Sequence, residues 1–293
     1  METTVVKRSK WQSAKYRREV RENIILWILR ISLGIIFAFP LYWAIITSFK
    51  GADEIIGNFG WASLIPKNPS FHNYMKVINY RDPTYNQIQI LNALKNTLIL
   101  TVVGGFLNIT ITTIAGYSFA KLRFKGHKVV FKILIASMMI PGIITLFPTF
   151  IVIARLNMWN IFGVLIPGAS SVFNIFFMRQ FFINLSDELG ESAEVEGAGE
   201  FRIFFQIYLP QVKPALAALA IFNFQGGWNN FLMPYIVLGQ ENLVLATFIR
   251  FFDADHFGQT MAASMLMTLP VLILFIIFQK YFMQSVTITG VDK

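Results

Sequence analysis

Long apolar runs separated by short polar stretches dominate the chain. Six of them reach the roughly 20 residues needed to cross a hydrocarbon layer of about 30 Å. They are approximately Ile24–Thr47, Leu91–Phe119, Val129–Ile153, Ile161–Met178, Ala215–Leu238 and Met261–Tyr281. Backbone donors and acceptors inside lipid must be satisfied within the segment, so each run predicts a transmembrane helix. The chain therefore reads as an all-α polytopic membrane protein with six transmembrane helices. The first run is too long for the apolar core of a signal peptide and no small-residue cleavage site follows it, which predicts a retained helix. Several runs hold helix breakers: Pro40 in the first, Pro141 and Pro148 in the third, Gly226, Gly227 and Pro234 in the fifth. Proline removes a backbone donor and bends a helix. Two readings stay open: kinks needed only for packing, or helices lining a path that opens and closes.

Composition agrees with the pattern. Of 293 residues, 55% are hydrophobic and 14% charged, against about 25% charged in soluble domains. Orientation follows from lysine and arginine near the membrane. The segment 1–23 carries Lys7, Arg8, Lys10, Lys15, Arg17, Arg18 and Arg21, and the loop after the second run carries Lys121, Arg123, Lys125 and Lys128. The next loop has only Arg155. This predicts a cytoplasmic basic tail (1–23) before a membrane domain (24–293), with both termini cytoplasmic. The loop at about 181–214 then lies on the cytoplasmic side, and the loops at about 48–90 and 239–260 lie outside. The inner loop is acidic, which the rule tolerates because carboxylates weigh little in it. The net charge of +9 sits where it sets topology and meets anionic lipid, so it does not point to nucleic acid. The absence of cysteine excludes disulfides and thiolate metal sites.

Polar residues inside the runs narrow the function. No run holds a central aspartate, glutamate or arginine, and His72, His127 and His256 fall in loops. An ion-coupled transporter needs a titratable group or cation site near mid-membrane, so this pattern weighs against one. The runs do hold amides: Asn108, Asn174, Asn223, Gln225, Asn229 and Asn230, with Trp228 beside them. Amides and indoles can hydrogen-bond a polyhydroxylated solute without charge. They can equally join helices, at about 0.6 kcal/mol each. Both readings stand.

The charged island between the fourth and fifth runs predicts two short helices. Ser186 is a candidate N-cap, and Asp187 and Glu188 fall in the first turn, where the helix dipole favours acids. Gly197 then permits a backbone conformation or close approach that a side chain forbids. Phe201, Phe204, Phe205 and Tyr208 fall at helical spacing and predict one aromatic face. Pro210 is expected to end that helix and Pro214 to start the next. Glu188, Glu191 and Glu194 lie beside no histidine, pocket or metal motif, so no catalytic or metal residue is assigned. No phosphate loop of the form G-x-x-x-x-G-K-[ST] is present.

Glu191, Ala193, Gly197, Ala198, Phe204, Ile207, Leu209, Pro210 and Pro214 resemble the EAA loop of binding-protein-dependent ABC importer permeases. Ser192 stands where alanine is usual and Glu196 where aspartate is usual. The stretches Met139–Pro141, Gly163–Pro167, Met178–Phe182, Ile221–Phe222, Trp228–Pro234 and Gln279–Phe282 extend the likeness to the carbohydrate branch, in particular the smaller maltose-transporter-like permease. The resemblance implies a type I (MetI-like) importer permease fold in a bacterial or archaeal cytoplasmic membrane. It also implies a second permease chain, two ATPase subunits that bind ATP and Mg, and an external solute-binding protein. Glu191, Ser192, Ala193, Glu196, Gly197 and Ala198 would then dock in the ATPase, carrying force and no chemistry; this chain would not be an enzyme. Driving a gate from 1:99 to 99:1 needs about 5.5 kcal/mol of differential interaction, which only a stiff connector transmits. Asn174, Asn223, Gln225, Trp228, Asn229 and Asn230 are candidates for the translocation path. Arg250, Phe251, Asp253 and Asp255 are candidates for contact with the binding protein. The implied solute is a carbohydrate. With no cation evident along the path, a neutral oligosaccharide is expected; glycerol phosphate, an amino sugar or a secondary transporter are the alternatives.

Overall fold

The structure is a computed structural model, and it describes residues 10–57, 61–81, 88–239, 242–252 and 256–288. The chain falls into two compact units: Met1–Tyr74 with Ala254–Met265, and Met75–Asp253 with Leu266–Lys293. Among the described residues the architecture is helical, and the only extended pairing is an isolated bridge between Arg81 and Ile88.

The first unit is built on α1 (Lys10–Ser48), a single long helix that includes the basic residues from Lys10 onward. Those residues are its first turns, so the basic segment is continuous with the first apolar run. Pro40 lies inside α1 without ending it. The polar residues after α1 form a packed turn with α2 (Ala52–Gly57) and the start of α3 (His72–Ile78). Asn73 Nδ2 donates to the carbonyls of Ser48 (2.9 Å) and Lys50 (2.8 Å), satisfying groups that the end of a helix leaves bare. The buried Lys50 donates from Nζ to Ser63 O and lies 5.0 Å from the Trp43 ring centroid. Phe49, Phe71 and Tyr74 close the cluster with ring centroids 5.2–6.0 Å apart.

The second unit centres on one helical rod. It comprises α4 (Gln89–Leu98), a π-turn at Ile99–Val103 and α5 (Gly104–Lys121). Then come α6 (His127–Ser137) and α7 (Gly142–Arg155), α8 (Ile161–Gly168) and α9 (Val172–Ile183), and the short α10 (Glu188–Val195). Next are α11 (Glu200–Arg202), a π-turn at Ile203–Tyr208 and α12 (Leu209–Gln211). The chain continues through α13 (Lys213–Trp228), α14 (Leu232–Val237), α15 (Leu245–Phe248) and α16 (Phe257–Ile288).

Among the described residues, four helices are long and apolar enough to cross a membrane: Tyr16–Ser48, Gln89–Lys121, Ile161–Ile183 and Phe257–Ile277. Two bent pairs raise the count to six if each is one span: α6 with α7, bent by 102°, and Glu200–Gln211 with Lys213–Val237, bent by 79°. The third predicted run is therefore not one straight helix. Pro141 lies at its break, where its missing N–H and the extended preference of the residue before it oppose helix continuation. Pro148 sits within α7 and does not interrupt it. Gly226 and Gly227, expected as breakers, lie inside α13. A Cβ on Gly227 would come within 2.9 Å of Thr101 Cα, so this glycine permits helix contact.

The described stretch 242–252 packs against the rest of the second unit. Leu243, Val244, Leu245 and Phe248 are buried. Thr97 Oγ1 accepts from Leu245 N (2.8 Å) and Asn96 Nδ2 donates to Leu243 O (3.0 Å), tying the segment to α4.

α5 and α9 make a close helix contact. A Cβ on Gly116 would sit 2.7 Å from Met178 Cβ and 3.0 Å from Arg179 N. Small residues of this kind let membrane helices approach where no hydrophobic drive pulls them together. Replacing Gly116 by valine would force α5 and α9 apart, and overpacking costs about 1–3 kcal/mol. The expected outcome is a lower midpoint of thermal unfolding for the detergent-solubilised protein. Gly34→Val is the control, since nothing lies within 4 Å of a Cβ there.

Candidate functional site

Two features stand out in the second unit: the elbow between α9 and α13, and a cleft lined by amides. In the elbow, Ser186 Oγ accepts from Glu188 N (3.2 Å), and α10 begins one residue later than a cap at Ser186 would give. At its far end Gly197 takes φ of 85°. Ala198 N donates to Ala193 O (2.9 Å) and Gly197 N to Glu194 O (2.9 Å). This pair of bonds, with a glycine in the left-handed conformation, closes the helix and turns the chain. No atom lies within 4 Å of a Cβ built on Gly197, so the conformation, not crowding within this chain, calls for glycine.

The expected aromatic face divides. Phe204 and Tyr208 are buried, while Phe201 is 81% exposed and Phe205 54%. The cause is the π-turn at Ile203–Tyr208, which shifts side chains off α-helical register. The helix also runs past Pro210 to Gln211 and breaks at Val212. A proline ring clashes with the carbonyl four residues back in an α-helix, and the wider turn just before Pro210 relieves that clash. Pro214 lies in the first turn of α13, as expected.

The inner face of the elbow belongs to a core of Tyr117, Met178, Phe182, Ala193, Ile203, Phe204, Tyr208, Val212, Ala215 and Leu219. Tyr117 packs on Phe204 (4.8 Å), Phe182 (5.5 Å) and Tyr208 (5.6 Å) and donates its hydroxyl to Glu200 Oε1. Lys121 Nζ donates to Leu185 O (2.6 Å) and to the Asp187 carboxylate. That hydrogen bond and charge hold the Asp187 carboxyl below the usual carboxylate range, with Arg123 adding a little. Because the folded value is depressed, the pairing contributes fully above the ordinary carboxylate value of about 3.9 and is lost only as pH falls below it. The anchor is therefore constant through the neutral range.

Ala193 and Ala198 turn inward, Ala193 buried and Ala198 packed against the same core. Glu191, Ser192, Glu196 and Gly197 are exposed. Val195 is 89% exposed. The outer face thus combines acids, a glycine and the apolar residues Val195, Phe201 and Phe205.

The cleft has a volume of about 380 Å³ and lies between the start of α5, the α8–α9 turn and the end of α13. Asn108, Asn174, Asn223 and Asn230 line it, with Ser170, Ser171 and several glycines, and no charged side chain contributes to the lining. Asn174 Nδ2 donates to Asn108 Oδ1 (2.7 Å), and Asn108 Nδ2 to Gly168 O (3.0 Å). Asn223 Nδ2 donates to Leu219 O (2.9 Å). The amides thus hold helices together and also face the cleft.

Three predicted path residues, Asn174, Asn223 and Asn230, come together there. Gln225 and Asn229 are exposed outside the cleft, with Asn229 Nδ2 on Gln225 O (3.0 Å). Trp228 is 2% exposed, donates Nε1 to Met267 O (3.1 Å) and stacks on Phe224. It joins α13 to the later part of α16. Of the outer candidates, Arg250 is exposed with its guanidinium 4.1 Å from the Tyr235 ring, and Phe251 packs on Tyr80 (5.2 Å). Asp253 and Asp255 lie outside the described residues. Sequence reasoning missed Lys121, read only as a topology charge, and Ser170 and Ser171, which no periodicity marks.

A family model described as binding-protein-dependent transport system inner membrane component matches residues 108–288, more than half of the chain and including the elbow. The chain belongs to this family. The inner-membrane component is 30% identical to the arabinooligosaccharides transport system permease protein AraQ of Halalkalibacterium halodurans, over 92% of this chain and 97% of that protein. It is 31% identical to the sn-glycerol-3-phosphate transport system permease protein UgpE of Pectobacterium atrosepticum, over 84% of this chain and 89% of that protein. Its fold matches a chain from the crystal structure of a bacterial ABC transporter involved in the import of the acidic polysaccharide alginate. There the TM-score is 0.79 at 22% identity, covering 91% of this chain and 98% of that one.

Two substitutions at Gly197 separate conformation from contact. Asparagine tolerates left-handed backbone, whereas valine does not. Gly197→Val is expected to unfold the elbow locally and raise its amide exchange by about tenfold, about 1–2 kcal/mol of strain. Gly197→Asn should leave exchange near wild type. Amide hydrogen exchange of the purified protein reads both.

Proposed function

We propose that this chain is a transmembrane permease subunit of an ATP-driven importer for a neutral oligosaccharide. It forms half of a pore with a second permease chain. The bent α6–α7 pair counts as one span and Lys213–Val237 as another, giving six, with both termini and the elbow in the cytoplasm. ATP and Mg are bound by two separate ATPase subunits, and an external binding protein delivers the solute. The elbow's outer face, with Glu191, Ser192, Glu196 and Gly197, meets an ATPase; Ala193 and Ala198 hold its shape from inside. Arg250 and Phe251 remain candidates for contact with the binding protein.

The observation that carries the solute class is the uncharged cleft. A phosphate or uronate needs a cation nearby to offset its desolvation, and none lines the cleft. Amide and hydroxyl groups suit a polyhydroxylated ring, and Phe173 and Phe222 supply aromatic walls. Relatives named for arabino- and galacto-oligosaccharides support the same class; the relative named for glycerol 3-phosphate marks the alternative.

Gly226 gives the test, because nothing in this chain lies within 4 Å of a Cβ there and it lines the cleft. In proteoliposomes holding the complete importer, Gly226→Leu should lower uptake of a neutral trisaccharide by roughly tenfold, about 1.4 kcal/mol, with the complex still assembled. Uptake at the wild-type rate would remove the cleft from the path. Transport of glycerol 3-phosphate in preference to the neutral sugars would overturn the solute class. The purified chain alone should hydrolyse no ATP.

A further inference from the structure

Beside the Tyr117 contacts, one cation ties both arms of the elbow to α5. Lys121 is the last residue of α5, and its side chain is only 6% exposed. Its ammonium has three donors. It reaches Leu185 O at 2.6 Å and the Asp187 carboxylate, both just before α10. It also sits 5.1 Å from the centroid of the Tyr208 ring, on the far arm of the elbow. Tyr208 closes the loop by donating its hydroxyl to Ser186 O (3.2 Å). Gly190 makes room for that ring, since a Cβ there would lie 2.7 Å from the Tyr208 hydroxyl. One buried cation therefore joins the entry to α10, the second arm and α5.

At its other end α5 forms a wall of the cleft through Gly104, Gly105 and Asn108. Those residues lie about 20–25 Å along the helix axis from Lys121, at roughly 1.5 Å per residue. Between them α5 is continuous α-helix packed on α9 through Gly116.

We propose that Lys121 is the positioning residue that couples the elbow to the cleft, so that the elbow and α5 move as one body while α5 acts as a push-rod. The proposal rests on the reading of the elbow as the ATPase contact. It adds that force travels along α5; α13 leaves the elbow through the break at Val212 and a bend of 79°. A compact ammonium with three partners cannot be replaced by an apolar chain of the same length, because Leu185 O would lose its donor and Asp187 its nearest cation. Arginine retains both charge and donors.

The chain has no cysteine, so labels can be placed at will. In the reconstituted complete importer, a spin-label pair at Val195→Cys and Ile114→Cys reports the elbow against α5; both positions are exposed. The proposal predicts one narrow distance distribution, unchanged between nucleotide-free and ATP-bound states. Lys121→Met should broaden it and lower the sugar transported per ATP hydrolysed by roughly fivefold to tenfold, whereas Lys121→Arg should restore both. A Val195–Ile114 distance that shifts with nucleotide in the wild type would overturn the proposal. So would a Lys121→Met importer with unchanged transport per ATP. If both Lys121 variants retained the narrow distance while Gly197→Val lost ATPase binding, the pin would fail and the contact reading would stand. If neither elbow variant affected ATPase binding or coupling, the contact reading itself would fall.

Discussion

Tyr117 is the contact on which the rest of the second unit depends. It sits near the end of α5, packs on Phe182 of α9 and on Phe204 and Tyr208 of the elbow, and hydrogen-bonds Glu200. Aromatic pairs of this kind contribute about 0.5–1.5 kcal/mol each beyond the area they bury. A polar segment between two membrane helices has no reason to be rigid unless its inner face joins the core. Here Ala193, Ile203, Phe204 and Tyr208 do so. The outer face is then free to present Glu191, Ser192, Glu196 and Val195 without loss of shape. Stiffness inside and chemistry outside are two consequences of one packing arrangement.

The same economy of polar groups governs the cleft. In lipid an unpaired amide costs more than it does in water, so intramembrane amides must find partners. Asn174, Asn108 and Gly168 satisfy one another in sequence, and Asn223 uses its own helix backbone. The two readings left open by the sequence, helix glue and solute path, are therefore not exclusive. Asn174 and Asn223 spend their NH₂ groups on the protein and leave their carbonyl oxygens for other contacts, whereas Asn108 uses both ends within the protein. Glycines at 104, 105, 168, 226 and 227 leave room in this lining.

Much of this was legible in the sequence, and the failures have physical causes. Hydropathy located every long helix because lipid leaves the backbone no alternative. The Gly197 turn was legible because a glycine between a short acidic helix and an aromatic one marks a helix end. Periodicity failed at Phe201 and Phe205 because a π-turn changes the register without changing composition. It did not mark the short helices described between the long ones, because segments packed through backbone acceptors such as those of Ser48 and Leu243 carry little periodicity. Prolines were over-read: Pro40 and Pro148 sit inside helices, while Pro141 lies at a sharp bend. Trp228 and Lys121 show what residue type leaves out. It suggested a solute contact for one and a topology charge for the other, and their partners, Met267 O and Leu185 O, are far away in sequence and invisible without the fold.

The central claim is that the exposed face of the elbow meets a separate ATPase while its buried face stays fused to the membrane core. A photo-cross-linker on a single cysteine at position 195, whose side chain is 89% exposed, tests it directly in native membranes. The account predicts one dominant product, this chain joined to an ATPase subunit, formed in the assembled importer and absent when the ATPase is removed. Labelling of that cysteine by an impermeant thiol reagent from the outer surface, with no ATPase captured, would contradict it.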